Sequence, residues 1–250
     1  MKRHVDLVVS ARRAAASFFG FLALLAAPAL AGDRALVEFI GFSEDAHYFA
    51  FEEMGIQDGS GFAYANIYIV DLERDSWVAG TPVRARAEDE DKTIADMRIK
   101  ARMEAGPIIV QSKISVVADV AALIGDGAVG LDAHALSFGR PSYAAGEVMD
   151  ERQLTLETFA TKSPEDCEGF FGSAPLGFAL TLSGGDAPVT LHRDDGTLPQ
   201  SRGCPLDYRL YAVVLPGLDA PQGGGVVIVS VYPGGFEGPD RRFLAVPFAF

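Results

Sequence analysis

Two periods of apolar residues divide this chain, and the strand period comes first. In "GFSEDAHYFAFEE", Gly41 to Glu53, apolar positions alternate through Tyr48 and Ala50. They alternate again in "NIYIVDLERD", Asn66 to Asp75, through Ile67 and Ile69. That spacing sends successive side chains to opposite faces of a strand. Asp58-Gly59-Ser60 between the two stretches supplies consecutive turn residues, so the pair reads as an antiparallel hairpin. Ser43 and Asp45 are suited to closing the preceding turn by bonding backbone amides. The helical period follows. Ile94, Met97 and Ala101 lie three and four residues apart, with Asp96 and Lys100 as an i,i+4 pair. Gly106-Pro107 is a stop signal, and Pro107 is suited to opening a second helix that runs to Ile124.

Beyond Gly177 the chain returns to apolar stretches cut by glycine and proline. "GFALTLSGGDAPVTLHRDD" is a hairpin about Gly184-Gly185-Asp186, and "DYRLYAVVLPG", "GGVVIVSVYPGG" and "RRFLAVPFAF" are three further strands. Short connections between consecutive strands favour antiparallel pairing. The expected fold is mainly β, with antiparallel sheets in a sandwich-like or partial-propeller-like arrangement and a helical insertion near residues 92–124. Glu88-Asp89-Glu90-Asp91 marks the entry to that insertion as a solvated linker or helix start.

Phe42, Ser43, Asp45, Tyr48, Ala50 and Phe51, then Ile67, Tyr68, Val70, Asp71 and Leu72, resemble one blade of a Tol-system-type β-propeller. That family's glycine after Asp45 is replaced by Ala46. A propeller repeats such a unit about every 40 residues, at least about four times, and no second copy follows. Longer stretches are similar to a family of uncharacterised bacterial predicted secreted proteins built on a domain of unknown function. They are "EFIGFSEDAHYFAFEEMGIQDGSGFAYANIYIVDLERDSWVAGTPVR", "SRGCPLDYRLYAVVL" and "VSVYPGGFEGPDRRFLAVPF". This resemblance implies a secreted or periplasmic location and no activity.

The first residues carry the address. Lys2, Arg3, Arg12 and Arg13 precede "AAASFFGFLALLAAPALA", which closes on Ala29-Leu30-Ala31. A basic flank, an apolar core and an A-x-A site make a secretory signal peptide over residues 1–31, leaving 32–250 as one secreted β-rich domain. Arg12-Arg13 raises twin-arginine export, but no Phe-Leu-Lys pattern follows, so the general secretory route is favoured. Cleavage removes those four cations and Asp6, deepening the net charge from −13 to −16. Nucleic acids and anionic membranes are therefore disfavoured partners. No second long apolar segment follows, so no membrane association is expected after cleavage. Cys167 and Cys204 are the only cysteines, and in an exported chain they most simply form one disulfide.

Motif chemistry is sparse. There is no G-x-S-x-G elbow, no H-E-x-x-H pair and no phosphate loop, and His47, His134 and His192 are scattered. No catalytic residue and no cofactor is assigned. Acids cluster around the first hairpin. Glu52, Glu53 and Asp58 lie on one side and Asp71, Glu73 and Asp75 on the other. Asp58, Asp71, Glu73 and Asp75 are oxygen donors of the kind calcium takes, without the spacing of a calcium loop. The same acids, within residues 52–75, are the basis of an alternative reading as a carboxylate-dependent hydrolase. "YPGGFEGPDRR" sets Phe236 among glycines, with Tyr232 before it and Asp240, Arg241 and Arg242 after it. An exposed aromatic beside arginines is the composition of an interaction loop. The competing reading folds Phe236 back as a plug. Leu244, Val246, Phe248 and Phe250 alternate to the chain's end as some outer-membrane barrels do, but Pro247 and the helical insertion favour a closing core strand. The chain reads as a non-enzymatic periplasmic or secreted binding or structural module whose partner is an unknown protein or small ligand.

Overall fold

The computed structural model describes residues 32–127 and 130–250, and the signal peptide read at residues 1–31 lies outside them. The chain begins with β1 (Leu36–Ser43), β2 (Tyr48–Ile56), β3 (Ala63–Asp71), the two-residue β4 (Ser76–Trp77) and β5 (Val83–Arg86). Helix α1 (Ile94–Gln111) follows, then β6 (Ile114–Val116) and β7 (Ala118–Leu123). Next come β8 (Ala135–Pro141), β9 (Val148–Ala160), a short α2 (Cys167–Phe171), β10 (Leu176–Ser183) and β11 (Val189–Arg193). Three long strands finish the chain: β12 (Pro205–Pro216), β13 (Gly224–Pro233) and β14 (Arg242–Ala249).

These strands make three antiparallel sheets. The first has the order β4-β3-β2-β1-β6, with β5 also paired to β3. The second is β14-β13-β12-β7 and the third β11-β10-β9-β8. The second sheet is the middle layer, because both of its faces are buried. Leu210, Val213, Val227, Val229 and Val246 pack against Leu154, Leu156, Phe178 and Leu180 of the third sheet. Ala212, Val214, Val226 and Ile228 pack on Phe42, Phe49 and Phe51 of the first. A strand covered on both faces gains by being apolar at every position, which is why "VVIVSV" shows no alternation. The first sheet is also covered on its other side. Ala50, Met54, Ile67 and Ile69 meet Met97, Ala101 and Ala105 of α1. The order of layers is helix, sheet, sheet, sheet.

The propeller resemblance does not hold. The blade-like hairpin β2–β3 pairs residue for residue from Tyr48↔Asp71 to Ile56↔Ala63, but it sits inside a six-stranded sheet backed by a helix. The helical insertion is also shorter than expected. One helix, not two, occupies it, and Ile114–Val116 and Ala118–Leu123 are strands. Pro107 lies inside α1 and does not open a new helix. Its missing N–H leaves the Met103 C=O without its i+4 donor, on a residue that is itself exposed. The helix ends at Ser112, and Lys113 turns the chain with φ +52°. Asp96 is not committed to Lys100 either. It forms a capping box with Thr93, accepting from Thr93 N–H at 2.8 Å while Thr93 Oγ1 accepts from Asp96 N–H at 3.2 Å.

Candidate functional site

The outer sheets wall the edge of the middle one. Among the described strands β14 pairs only with β13, so its other side is open. Phe250 N–H donates to Gly223 C=O at 2.9 Å, and an antiparallel ladder alternates from there. Arg242, Leu244, Val246 and Phe248 therefore bond to β13, while Phe243, Ala245, Pro247 and Ala249 turn their backbone groups outward. Three contacts agree with this phase. Arg241 N–H donates outward to Asp33 C=O at 2.7 Å. Phe243 N–H donates to Glu53 Oε2 at 3.0 Å. Pro247, which has no N–H, stands at an outward position, where an edge strand tolerates proline. Ala245 is the first outward residue whose N–H and C=O meet no partner among the described residues.

Three clefts lie end to end along this edge. One of about 230 Å³ reaches Glu53, Arg84, Arg202 and Arg242 at the start of β14. The next, about 300 Å³, holds Tyr68, Asp75, Trp77, Phe178, His192 and residues 243–246. The third, about 580 Å³, runs past Asp45, His47, Glu73, Leu191 and residues 247–249. The first two share Tyr68, Trp77, Ser201, Arg202, Phe243 and Leu244. Together they form a groove with β14 as its floor.

Each wall is built for contact. On the near wall Phe51 stacks on Tyr68 at 4.8 Å, and Tyr68 meets Trp77 edge-on at 5.7 Å. Trp77, the chain's one tryptophan, is 46% exposed there. On the far wall His192 stacks on Phe178 at 4.5 Å. Behind them Asp194 takes His192 Nε2 at 3.0 Å, Arg202 Nη1 at 3.4 Å and the amide of Phe178 at 2.9 Å. Burial works to raise Asp194, but His192, Arg202 and that amide outweigh it and hold the carboxyl below its ordinary value. The carboxylate thus fixes an imidazole and a guanidinium in the wall. Among the described residues His192 makes no hydrogen bond to a hydroxyl, so no nucleophile–base pair is assembled.

The hairpin acids scatter. Glu52 and Glu53 are adjacent on a strand and so face opposite ways. Glu52 points to α1, where Arg98 and Arg102 donate to it at 3.0 and 2.6 Å and also reach Glu38. Glu53 points to the middle sheet, with Arg242 at 3.9 Å and Asn66 at 3.4 Å. Asp58 sits at the hairpin tip and accepts from Glu237 N–H at 2.8 Å. At the other end, Asp71 closes the next turn on the amides of Glu73 and Arg74 and pairs with the Arg74 guanidinium at 2.7 Å. Glu73 and Asp75 line different clefts. Among the described residues no group of three or more His, Cys, Asp or Glu is placed to hold a metal ion. The calcium set Asp58, Asp71, Glu73 and Asp75 is not brought together. Of the hairpin acids, Glu52 and Glu53 lie on opposite faces of the sheet.

The interaction loop divides as well. Phe236 stands 86% exposed, which removes the plug reading. The arginines do not flank it. Arg241 donates to Ala35 C=O at 2.7 Å and to Asp126 at 2.6 Å, and Arg242 pairs with Asp33 at 2.7 Å. Asp240 accepts from Asp33 N–H at 2.9 Å, and Tyr232 is buried with its hydroxyl on Asp126. Asp240, Arg241 and Arg242 clamp the Asp33–Ala35 segment, Tyr232 is held on Asp126, and the aromatic is left alone. Cys167 and Cys204 are bonded to each other and anchor α2 beside β12. This holds Phe171 over Gly234, where any Cβ would collide with the ring.

Fold and groove together define a layered β protein with an open, walled edge strand. Residues 50–248 match the family model of the Predicted secreted protein (DUF2259), and the chain belongs to that family. No curated protein and no solved structure matches it. The family description makes this an exported protein of unknown activity.

Proposed function

We propose that the chain is cut after Ala31, is delivered to the periplasm, and acts there as a non-enzymatic binding protein whose ligand lies in the groove beside β14. The observation that carries this reading is the run of clefts over the unpaired half of β14. An edge strand left open and flat is an aggregation hazard, and proteins usually cover it. Here its walls instead carry an exposed Trp77 beside half-buried Tyr68 and His192, side chains of the kind that anchor interfaces. The leader, the disulfide and the acidic mature surface support an exported, soluble carrier of this kind. No described helix is long and apolar enough to cross a membrane.

The test uses ¹⁵N-labelled mature protein titrated with fractions of an envelope extract. Amide shifts that gather at Ala245, Trp77 and His192 are expected. Shifts that gather elsewhere, or none with any fraction, overturn the reading.

A further inference from the structure

Building on the groove-binding reading above, we propose that the ligand is an extended peptide, added to β14 as an antiparallel strand with its C-terminal carboxylate beside Arg84. The backbone supplies the first reason. Outward-facing Ala245 offers an N–H and a C=O, and Pro247 a C=O, with no partner among the described residues. A peptide strand satisfies such a ladder and gains its affinity from it. Depth is the second reason. Packed sheets lie about 10 Å apart, so the space left between two outer sheets beyond a middle one is about one sheet thick. A single strand fills that slot. A second copy of this chain would bring its own β4 and β11, whose walls meet these before the two β14 edges come within bonding distance.

Charge decides the direction. Arg84 is exposed at the cleft beside the start of β14 and has no ion pair among the described residues, whereas Arg202 and Arg242 are engaged by Asp194 and Asp33. Glu73, equally unpaired, stands with Asp45 at the far end beside residues 247–249. An antiparallel strand has its C-terminus at the start of β14, which sets a carboxylate by Arg84 and its amino-terminal, cationic part by Glu73. A parallel strand would reverse both contacts. In the antiparallel register the peptide residue opposite Ala245 shares its face and turns toward Tyr68 and Trp77. The span from Phe243 to Ala249 fits about seven residues, roughly 23 Å of strand.

The probes are seven-residue peptides that begin with two lysines and continue in alternating valine and threonine, varied at the middle positions. Each is made with a free carboxylate and with a C-terminal amide. Trp77 emission reads affinity, and exchange of the Ala245 amide reads the mode. Amidation should weaken binding about tenfold or more, and Arg84→Glu should cause a similar loss that amidation does not deepen. At saturation Ala245 exchange should slow at least about tenfold. Ala245→Pro should abolish binding while leaving the fold, since that N–H takes no part in the β13 ladder. Arg84→Glu lies at an exposed position and keeps the test independent of how the proline variant folds. Equal affinity for acid and amide, or unchanged Ala245 exchange at saturation, overturns the proposal. If no peptide binds but envelope fractions still shift the Ala245 resonance, the peptide proposal falls and the groove reading stands. If neither moves it, both fall.

Discussion

The carboxylate of Glu53 accepts the amide of Phe243 at 3.0 Å, so a residue of β2 closes the first outward position on β14. Glu52, its neighbour, is equally buried and is spent on the opposite face of the same sheet, under α1. Two acids one residue apart therefore do unrelated work. One sets where the open part of the edge strand begins, and the other fastens a helix.

Glu53 should make stability fall as pH rises. Burial pushes its carboxyl up from an ordinary value near 4.5 to about 7, against the opposing pull of Arg242 and the Phe243 amide. The folded protein then holds a proton that the unfolded chain has lost between those two values. Stability from this group is full below about pH 4.5 and is lost as pH climbs through 7, by on the order of 3 kcal/mol. Asp33, raised mainly by its burial, shifts in the same sense. Urea midpoints measured from pH 4 to 8 should show the decline, and Glu53→Gln, which keeps an acceptor for Phe243, should flatten most of it.

The Glu52 cluster should respond asymmetrically. Glu52 has no exposed surface, whereas the Arg98 and Arg102 side chains are 30% and 45% exposed. Glu52→Gln leaves two arginines that water can reach and should cost about 1–2 kcal/mol. Arg98→Ala with Arg102→Ala strands a buried carboxylate and should cost about 3–5 kcal/mol. Adding Glu52→Gln to that double variant should recover part of the loss. Denaturant titration of the three proteins checks the order, and a larger cost for Glu52→Gln alone would reverse the assignment of which partner is buried at risk.

Reduction of the Cys167–Cys204 bond should destabilise the protein without dismantling its middle sheet. The bond spans a separation of 37 residues, and closing such a loop contributes about 3–4 kcal/mol in the chain-entropy model. Unfolding midpoints with and without reductant measure it. The Ala245 and Trp77 resonances should keep their native positions in the reduced folded state, because β14 and β4, which carry them, hold neither cysteine.

What could be read from the chain was what depends on local pattern. The β2–β3 hairpin, the start of α1 and the last five strands all announce themselves by period and turn residues. β9 does not, because Val148 to Ala160 keeps few buried positions and its charged outer face has no strand signature. "KISVVADVAALIG" fits a helix by spacing, yet its β-branched residues and the turn at Lys113 make it two strands. The groove was the least legible feature, since its walls come from β3, β4, β11 and the 199–202 turn. One signal was present. Pro247 inside an otherwise strand-like stretch marks an edge strand, and it bears on the open side of β14 more than on a barrel. Trp77 carried no local signal at all, because nothing near it in sequence shows that its ring faces a cleft.

Phe51 and Phe236 should separate the wall from the surface. Phe51 is 2% exposed and stacked on Tyr68, so Phe51→Ala opens a cavity between the first and middle sheets and should cost about 3–5 kcal/mol. It should also release Tyr68 and Trp77 from their fixed positions, which a broadened Trp77 emission would report. Asp45→Ala removes acceptors for Ser43 Oγ at 2.6 Å and for the His47 amide at 3.1 Å in an exposed turn, and should cost about 1 kcal/mol. Phe236→Ala, at a residue 86% exposed, should stay within about 0.5 kcal/mol of the parent. Because Phe236 lies outside the three clefts, its loss should also leave peptide affinity unchanged. A steep stability loss at Phe236 would place the 234–239 loop in the core. A loss of peptide affinity there, with the fold intact, would move the ligand away from β14.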